Sequence, residues 1–175
     1  MNNELNNMSE KMTKTENLII PDSEFGDLII NTITGKISGD KLNYSEKNIY
    51  NDFPIEYKMN EFEITELECC DLEKLKSLFA ENLHFIFNMK KEIKERIIEE
   101  IWNWFVNNDY TLEDLKQQFL KLEISVTSIL SNDKNINFSS SWEFVEENSD
   151  INSGYADFYF DFDSNQIKRS DIGFF

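Results

Sequence analysis

A few groups of residues have types and spacings that could carry chemistry. His84 is the only histidine and Cys69-Cys70 are the only thiols, so a nucleophilic Cys–His dyad has just these members. A lone histidine on a helix more often faces water or is tied into packing. Cysteines at a strand end more often act as small apolar side chains. Asp161-x-Asp163-x-Asn165 opens like a calcium loop, but its sixth position is Gln166 instead of glycine. Its twelfth is Ile172 instead of a bidentate glutamate, so a hairpin turn of Asp, Ser and Asn is expected and no metal. Glu143, Glu146, Glu147 and Asp150 offer carboxylates without the polar constellation that hydrolysis needs. The glycines at 26, 35, 39, 154 and 173 form neither a G-x-G-x-x-G run nor a P-loop. No catalytic residue, cofactor site or metal site is therefore expected.

The stretch Tyr155 to Asp163 carries a different kind of chemistry. Side chains alternate along a strand, so Phe158, Phe160 and Phe162 fall on one side, expected as core. Asp157, Tyr159, Asp161 and Asp163 fall on the other, a ladder of carboxylates around a tyrosine. The whole chain has 34 acidic and 17 basic residues in 175, a formal charge of −17. Such a body repels nucleic acids and anionic membranes and attracts basic partners. The excess is uneven: residues 71–122 carry ten acids against eight bases, and residues 123–175 carry ten against three. Trp102, Trp104 and Trp142 could stack bases, but the basic groove of a single-strand binder is missing. Trp104 fits a helix core stripe, whereas Trp102 is one position off it and suits a surface anchor.

These residues need elements to position them. Residues 1–17 read as a mobile polar tail, and 18–175 as one α+β domain. Leu18-Ile19-Ile20 before Pro21 is too short for a signal-peptide core or a membrane span, and the absence of a spaced cysteine framework favours a reducing cytoplasm. Phe25 to Ile33 reads as a strand, Lys36 to Tyr44 as its return with a bend at Gly39-Asp40, and Asn48 to Asp52 as a loop. Ile55, Tyr57 and Met59 alternate as a third strand, and Phe62 and Ile64 sit on the opposite parity, which predicts a bulge near Asn60.

Three central helices follow. Asp71 suits an N-cap, with Leu72, Leu75, Phe79, Leu83 and Ile86 as the first stripe. A second helix over Met89–Asn107 buries Ile93, Ile97, Ile101, Trp104 and Phe105 and turns Lys90, Lys91, Lys94 and Arg96 to water. Thr111 caps the third, with Glu113 and Asp114 at its positive end and Leu112, Leu115, Phe119 and Leu122 on its apolar face. The last fifty residues read as an antiparallel meander: Ile124–Ile129, Ile136–Trp142, Tyr155–Asp163 and Ile167–Phe175, with an acidic loop over 146–154. The fold class is thus α+β, a mostly antiparallel sheet with three central helices packed on one face and a C-terminal meander.

Several stretches carry a family likeness: Phe25-Gly26-x-Leu28, Thr111-Leu112-Glu113-Asp114-Leu115, Leu122-x-Ile124, Phe158-Tyr159-Phe160-Asp161-x-Asp163, then Ile167-Lys168 and Asp171-Ile172-Gly173. Over residues 25–175 the chain resembles a group of uncharacterised bacterial domains found as immunity proteins beside polymorphic toxin genes. The resemblance implies a non-enzymatic, cytoplasmic protein that binds and neutralises a basic toxin or nuclease-like partner. The acidic surface adds the expected contacts: Asp157, Tyr159, Asp161 and Asp163 on the strand, Glu146, Glu147 and Asp150 in the loop, and Trp102. The alternative is a nucleic-acid mimic of phage or mobile-element type that inhibits a defence or nucleic-acid-processing enzyme. An enzyme of unrecognised type, and a structural or regulatory domain whose charge serves only solubility, stand beside both.

Overall fold

The computed structural model describes residues 17–65, 81–131, 135–145 and 152–175. Among the described residues, nine strands form one sheet: β1 (Asn17–Asp22), β2 (Gly26–Asn31), β3 (Lys36–Ser38), β4 (Tyr44–Tyr50), β5 (Phe53–Ile64), β6 (Lys121–Leu130), β7 (Ile136–Val145), β8 (Asn152–Asp161) and β9 (Gln166–Phe174). The spatial order is β1-β2-β3-β5-β6-β7-β8-β9, with β4 pairing β5 off this path. Every pairing among these nine strands is antiparallel except β5–β6. Between those two parallel strands lie helical residues 81–88 (α1), α2 (Lys90–Asn107) and α3 (Leu112–Gln118). Parallel neighbours need a long crossover, and these helices are in it.

The C-terminal meander follows the period-two pattern. In β6, Leu122, Ile124, Val126, Ser128 and Leu130 are buried, and β7 matches them with Ile136, Phe138, Ser140, Trp142 and Phe144. Phe158 and Phe160 continue this face into β8. Phe162 does not: β8 ends at Asp161, a turn spans 162–165, and the Phe162 ring is 52% exposed. The parity change in β5 is a real bulge, because its register with β6 shifts between Met59 and Glu61. Met59 and Phe62 consequently both point into the core, while Asn60 and Glu61 are exposed.

The N-terminal strands differ from expectation in two places. Leu18-Ile19-Ile20 belongs to β1, which pairs β2 from Asn17↔Asn31 to Asp22↔Gly26. The return strand is only Lys36–Ser38, and the polar stretch that follows is β4, joined to β5 by Asn51-Asp52. Both turn residues have positive φ, 49° and 63°, as the two-residue loops that match strand twist require. No position in β4 is fully buried. It is held by the backbone ladder and by Tyr44 and Tyr50 at its ends, so it lacks a hydrophobic alternation.

Helix α2 buries two adjacent stripes. Ile93, Ile97, Ile101 and Phe105 form one; Lys94, Ile98 and Trp102 form the other. The second exists because the β4–β5 hairpin covers that flank. Trp102 meets the Tyr50 and Phe53 rings at 5.6 and 5.8 Å and is 5% exposed, so it is core and not a surface anchor. Lys94 is likewise buried instead of facing water, and its Nζ donates to Glu46 Oε2 at 2.7 Å. Lys94 and the Tyr44 hydroxyl hold the Glu46 carboxyl below its usual range, while burial and Glu46 push the Tyr44 phenol up to about 12. The charge is tolerated because its partner arrives from another element. Trp104 is half-buried against Phe174 and Trp142.

Helix α3 starts on the expected cap. The Thr111 hydroxyl accepts from the Asp114 N–H at 3.1 Å, and Asp114 accepts from the Thr111 N–H at 3.1 Å, a reciprocal capping box. The helix stops at Gln118, so Phe119 is its C-cap and Leu122 already lies in β6; both are buried all the same. Ring contacts from the helices reach sheet positions of the buried parity: Phe87 to Phe62, Phe85 to Phe160, and Phe105 to Trp142 and Phe144. Among the described residues, no helix is long and apolar enough to cross a membrane. The expected N-cap Asp71, with Leu72, Leu75 and Phe79, lies outside the described residues.

Candidate functional site

The sheet face opposite the buried one is organised by register into cross-strand rows. One row is Glu56, Glu123, Glu143 and Ser153; the next is Lys58, Ser125, Ser141, Tyr155 and Gly173. A third is Glu61, Thr127, Ser139, Asp157 and Asp171, and a fourth begins at Glu63 and runs through Ile129, Asn137 and Tyr159 to Lys168. Two irregularities bracket the third row. The β5 bulge brings Glu61 opposite Thr127, and a register shift beside Asp157 leaves Ser170 unpaired and Asp171 facing Asp157. Bulges re-aim side chains in this way.

Hydroxyl groups hold the carboxylates of the third row. Thr127 Oγ1 donates to Glu61 Oε2 at 3.2 Å, Ser139 Oγ to Asp157 Oδ1 at 2.8 Å, and the Tyr155 hydroxyl to Asp171 Oδ2 at 3.0 Å. That last bond, with the nearby Asp157 charge, raises the Tyr155 phenol above its ordinary value. A groove of about 460 Å³ opens along the second and third rows. Its floor includes the short side chains of Ser125, Ser139 and Ser141, with Glu61 at one end and Tyr155, Asp157 and Phe175 at the other.

The carboxylate ladder expected on β8 is thereby divided. Asp157 and Tyr159 lie on the open face, Tyr159 at 39% exposure. Asp161 is committed to the turn: its carboxylate accepts from the Asp163 N–H at 3.0 Å, from Ser164 Oγ at 2.8 Å, and pairs with Lys168. Lys168, then Ser164, hold the Asp161 carboxyl down to about 2. Asp163 lies in the turn beyond the strand end and leaves the ladder. The would-be calcium loop is thus an Asx-type turn closed by a lysine. Among the described residues, no group of three or more His, Cys, Asp or Glu side chains gathers as metal ligands. Glu146, Glu147 and Asp150 lie outside the described residues. Glu61 and Asp171, which the single-strand reading missed, come from distant strands, and only the register reveals them.

His84 has another role. Its Nε2 lies 3.0 Å from Asp22 Oδ2 and its Nδ1 2.7 Å from Glu24 Oε2, with the Phe25 ring 4.9 Å away. Asp22 also accepts the N–H groups of Glu24 and Phe25 at 2.8 and 2.9 Å. The histidine therefore ties α1 to the β1–β2 turn, and both ring nitrogens are engaged by carboxylates; Cys69 and Cys70 lie outside the described residues. Its pKa is raised, by the Asp22 hydrogen bond first and the charges of Asp22 and Glu24 after, against the opposing effect of desolvation. For Asp22, burial pushes up, but the backbone N–H groups and His84 outweigh it and the net shift is down. A raised histidine pKa contributes stability that is complete below its unfolded value of about 6.5 and lost as pH rises through the folded value. Thermal unfolding at pH 6 and pH 9 is expected to show this loss in the native chain, and His84→Gln should remove that part of the pH dependence. An unchanged profile in His84→Gln would refute the clamp.

Comparison with protein-family models, with curated proteins and with solved structures finds no match to this chain.

Proposed function

We propose that this chain is a cytoplasmic, non-enzymatic interaction protein of the immunity type, which binds and neutralises a basic toxin. In this reading the three helices form one layer on the buried sheet face, and the opposite face meets the partner without contacting nucleic acid or membrane. The observation that carries the proposal is the row Glu61, Asp157 and Asp171. These carboxylates lie on the open face of a chain with net charge −17, and no cation among the described residues pairs with them. Cation-free acid rows raise the local negative potential, speed the encounter with a basic surface and make binding salt-sensitive.

Co-purification from the native host, followed by binding measurements on the purified partner, tests this reading. The expected partner is basic, its toxicity is suppressed by co-expression, and affinity falls about tenfold or more between 50 and 500 mM salt. The triple variant Glu61→Gln, Asp157→Asn, Asp171→Asn should fold as the parent does and bind about tenfold more weakly. An acidic partner, a salt-independent affinity, or full binding by the triple variant would remove the electrostatic mechanism. A partner that is a nucleic-acid-processing enzyme, from which DNA or RNA displaces this chain, would point to the mimic reading instead.

A further inference from the structure

We infer that the groove beside Asp157 seats an arginine side chain of the partner, an inference that rests on the acidic-face reading above. The sheet contains its own comparison. Glu56 and Glu123 are direct neighbours on β5 and β6, a like-charge pair that costs stability when left alone. Lys121 bridges them, 3.1 Å from Glu56 and in contact with Glu123, and Lys58 adds a contact to Glu56 at 3.3 Å. Asp157 and Asp171 are the equivalent pair on β8 and β9, directly opposite in register. No lysine, arginine or histidine among the described residues fills the bridging place. The nearest basic residues along β9 are engaged elsewhere, Lys168 with Asp161 and Arg169 with Glu100 at 3.1 Å. An external cation would complete this pair as Lys121 completes the other.

The walls favour a guanidinium over an ammonium. The Tyr155 and Phe175 rings stand together at the groove's end, 5.7 Å apart and tilted by 42°, with Phe175 81% exposed and seated by its N–H on the Ser153 carbonyl at 3.1 Å. A planar guanidinium stacks on an aromatic ring while its fork meets a carboxylate in two bonds, which a compact ammonium cannot do. Ser141 and Ser139 are short enough to leave room for the long side chain above the sheet. Glu61 stands three strand spacings away, about 14 Å, and takes a second cation of the same basic segment.

The test uses the full chain and capped nona-arginine and nona-lysine peptides at 150 mM salt, with affinities and backbone NMR shifts measured for each. Nona-arginine is expected to bind at least fivefold more tightly than nona-lysine, with the largest shifts at Ser139, Tyr155, Asp157 and Phe175. Asp157→Asn and Phe175→Ala should each weaken nona-arginine binding about fivefold, and Phe175→Ala should erase the preference over nona-lysine. Glu63→Gln, an equal charge change off the groove, should alter it less than twofold. Equal affinities for the two peptides, or equal losses in Asp157→Asn and Glu63→Gln with shifts spread over the open face, would overturn the arginine seat and leave the acidic-face reading standing. No shift on the open face with either peptide would overturn both.

Discussion

Phe105→Ala is expected to destabilise the fold by about 3–5 kcal/mol, the range for emptying a large aromatic from a packed core. Phe105 is 2% exposed and meets five rings: Trp104 at 5.2 Å, Tyr110 at 5.5 Å, Trp142 at 5.0 Å, Phe144 at 4.5 Å and Phe174 at 6.1 Å. These contacts link α2 to strands β7 and β9 and to the α2–α3 connection. Most are edge-to-face, a geometry worth about 0.5–1.5 kcal/mol per pair beyond the buried area. The surrounding rings are held by neighbours of their own and cannot collapse into the void, which places the loss toward the upper end. Urea unfolding measures it, and Phe105→Leu, which keeps much of the volume, should lose less. A loss below about 1 kcal/mol for the alanine variant would mean that this cluster does not anchor α2.

Gly154→Ala should cost about 3 kcal/mol, at the top of the usual range for overpacking, although it adds one methyl group. Gly154 faces Trp142 across the β7–β8 ladder. A Cβ there would stand 2.1 Å from Trp142 Cζ2 and 2.3 Å from the Gly173 carbonyl oxygen. Neither neighbour can yield cheaply: Trp142 is 1% exposed among Trp104, Phe105, Phe144 and Phe174, and the Gly173 oxygen is backbone of β9. Glycine is required here for the space it leaves, since the indole occupies the place of its missing side chain. Combining Gly154→Ala with Trp142→Phe should therefore cost less than the sum of the two single losses, as coupled neighbours do. Strict additivity in that double-mutant cycle would show that the clash is relieved elsewhere.

Local periodicity revealed the elements whose burial is one-sided. Strands β6 and β7 alternate cleanly because one face meets the core and the other water, and the parity change at Asn60 announced the β5 bulge for the same reason. Strand β4 was illegible: Tyr-Ser-Glu-Lys-Asn-Ile-Tyr buries no position fully, so pairing leaves no trace in its hydrophobicity. Strand β1 was not read as a strand, because Leu18-Ile19-Ile20 is short and ends at Pro21, a residue that an edge strand accommodates. Lys94 and Trp102 were misplaced because a helix read alone has one stripe, whereas the β4–β5 hairpin covers a second flank of α2. Phe162 followed an alternation that its strand did not continue. The candidate site was half legible. Asp157 and Tyr155 belong to a suspicious stretch, but Glu61, Thr127, Ser139 and Asp171 join them only through pairing among five strands.

The parallel seam between β5 and β6 bears on how the chain reaches this structure. On either side of it the pairings are largely hairpins between sequence neighbours, which close early and cheaply. The seam joins groups such as Lys121 and Glu56, 65 positions apart, and Thr65 and Leu130, also 65 apart. Closing such loops spends chain entropy before any contact rewards it, so non-local pairing sets the pace of folding. Newly made chain up to Ile64 must also wait, one side of its longest strand open, until β6 has been synthesised. Glu56, Lys58, Glu61 and Glu63 on the outer positions of β5 keep that waiting edge charged, a guard against premature pairing with another copy.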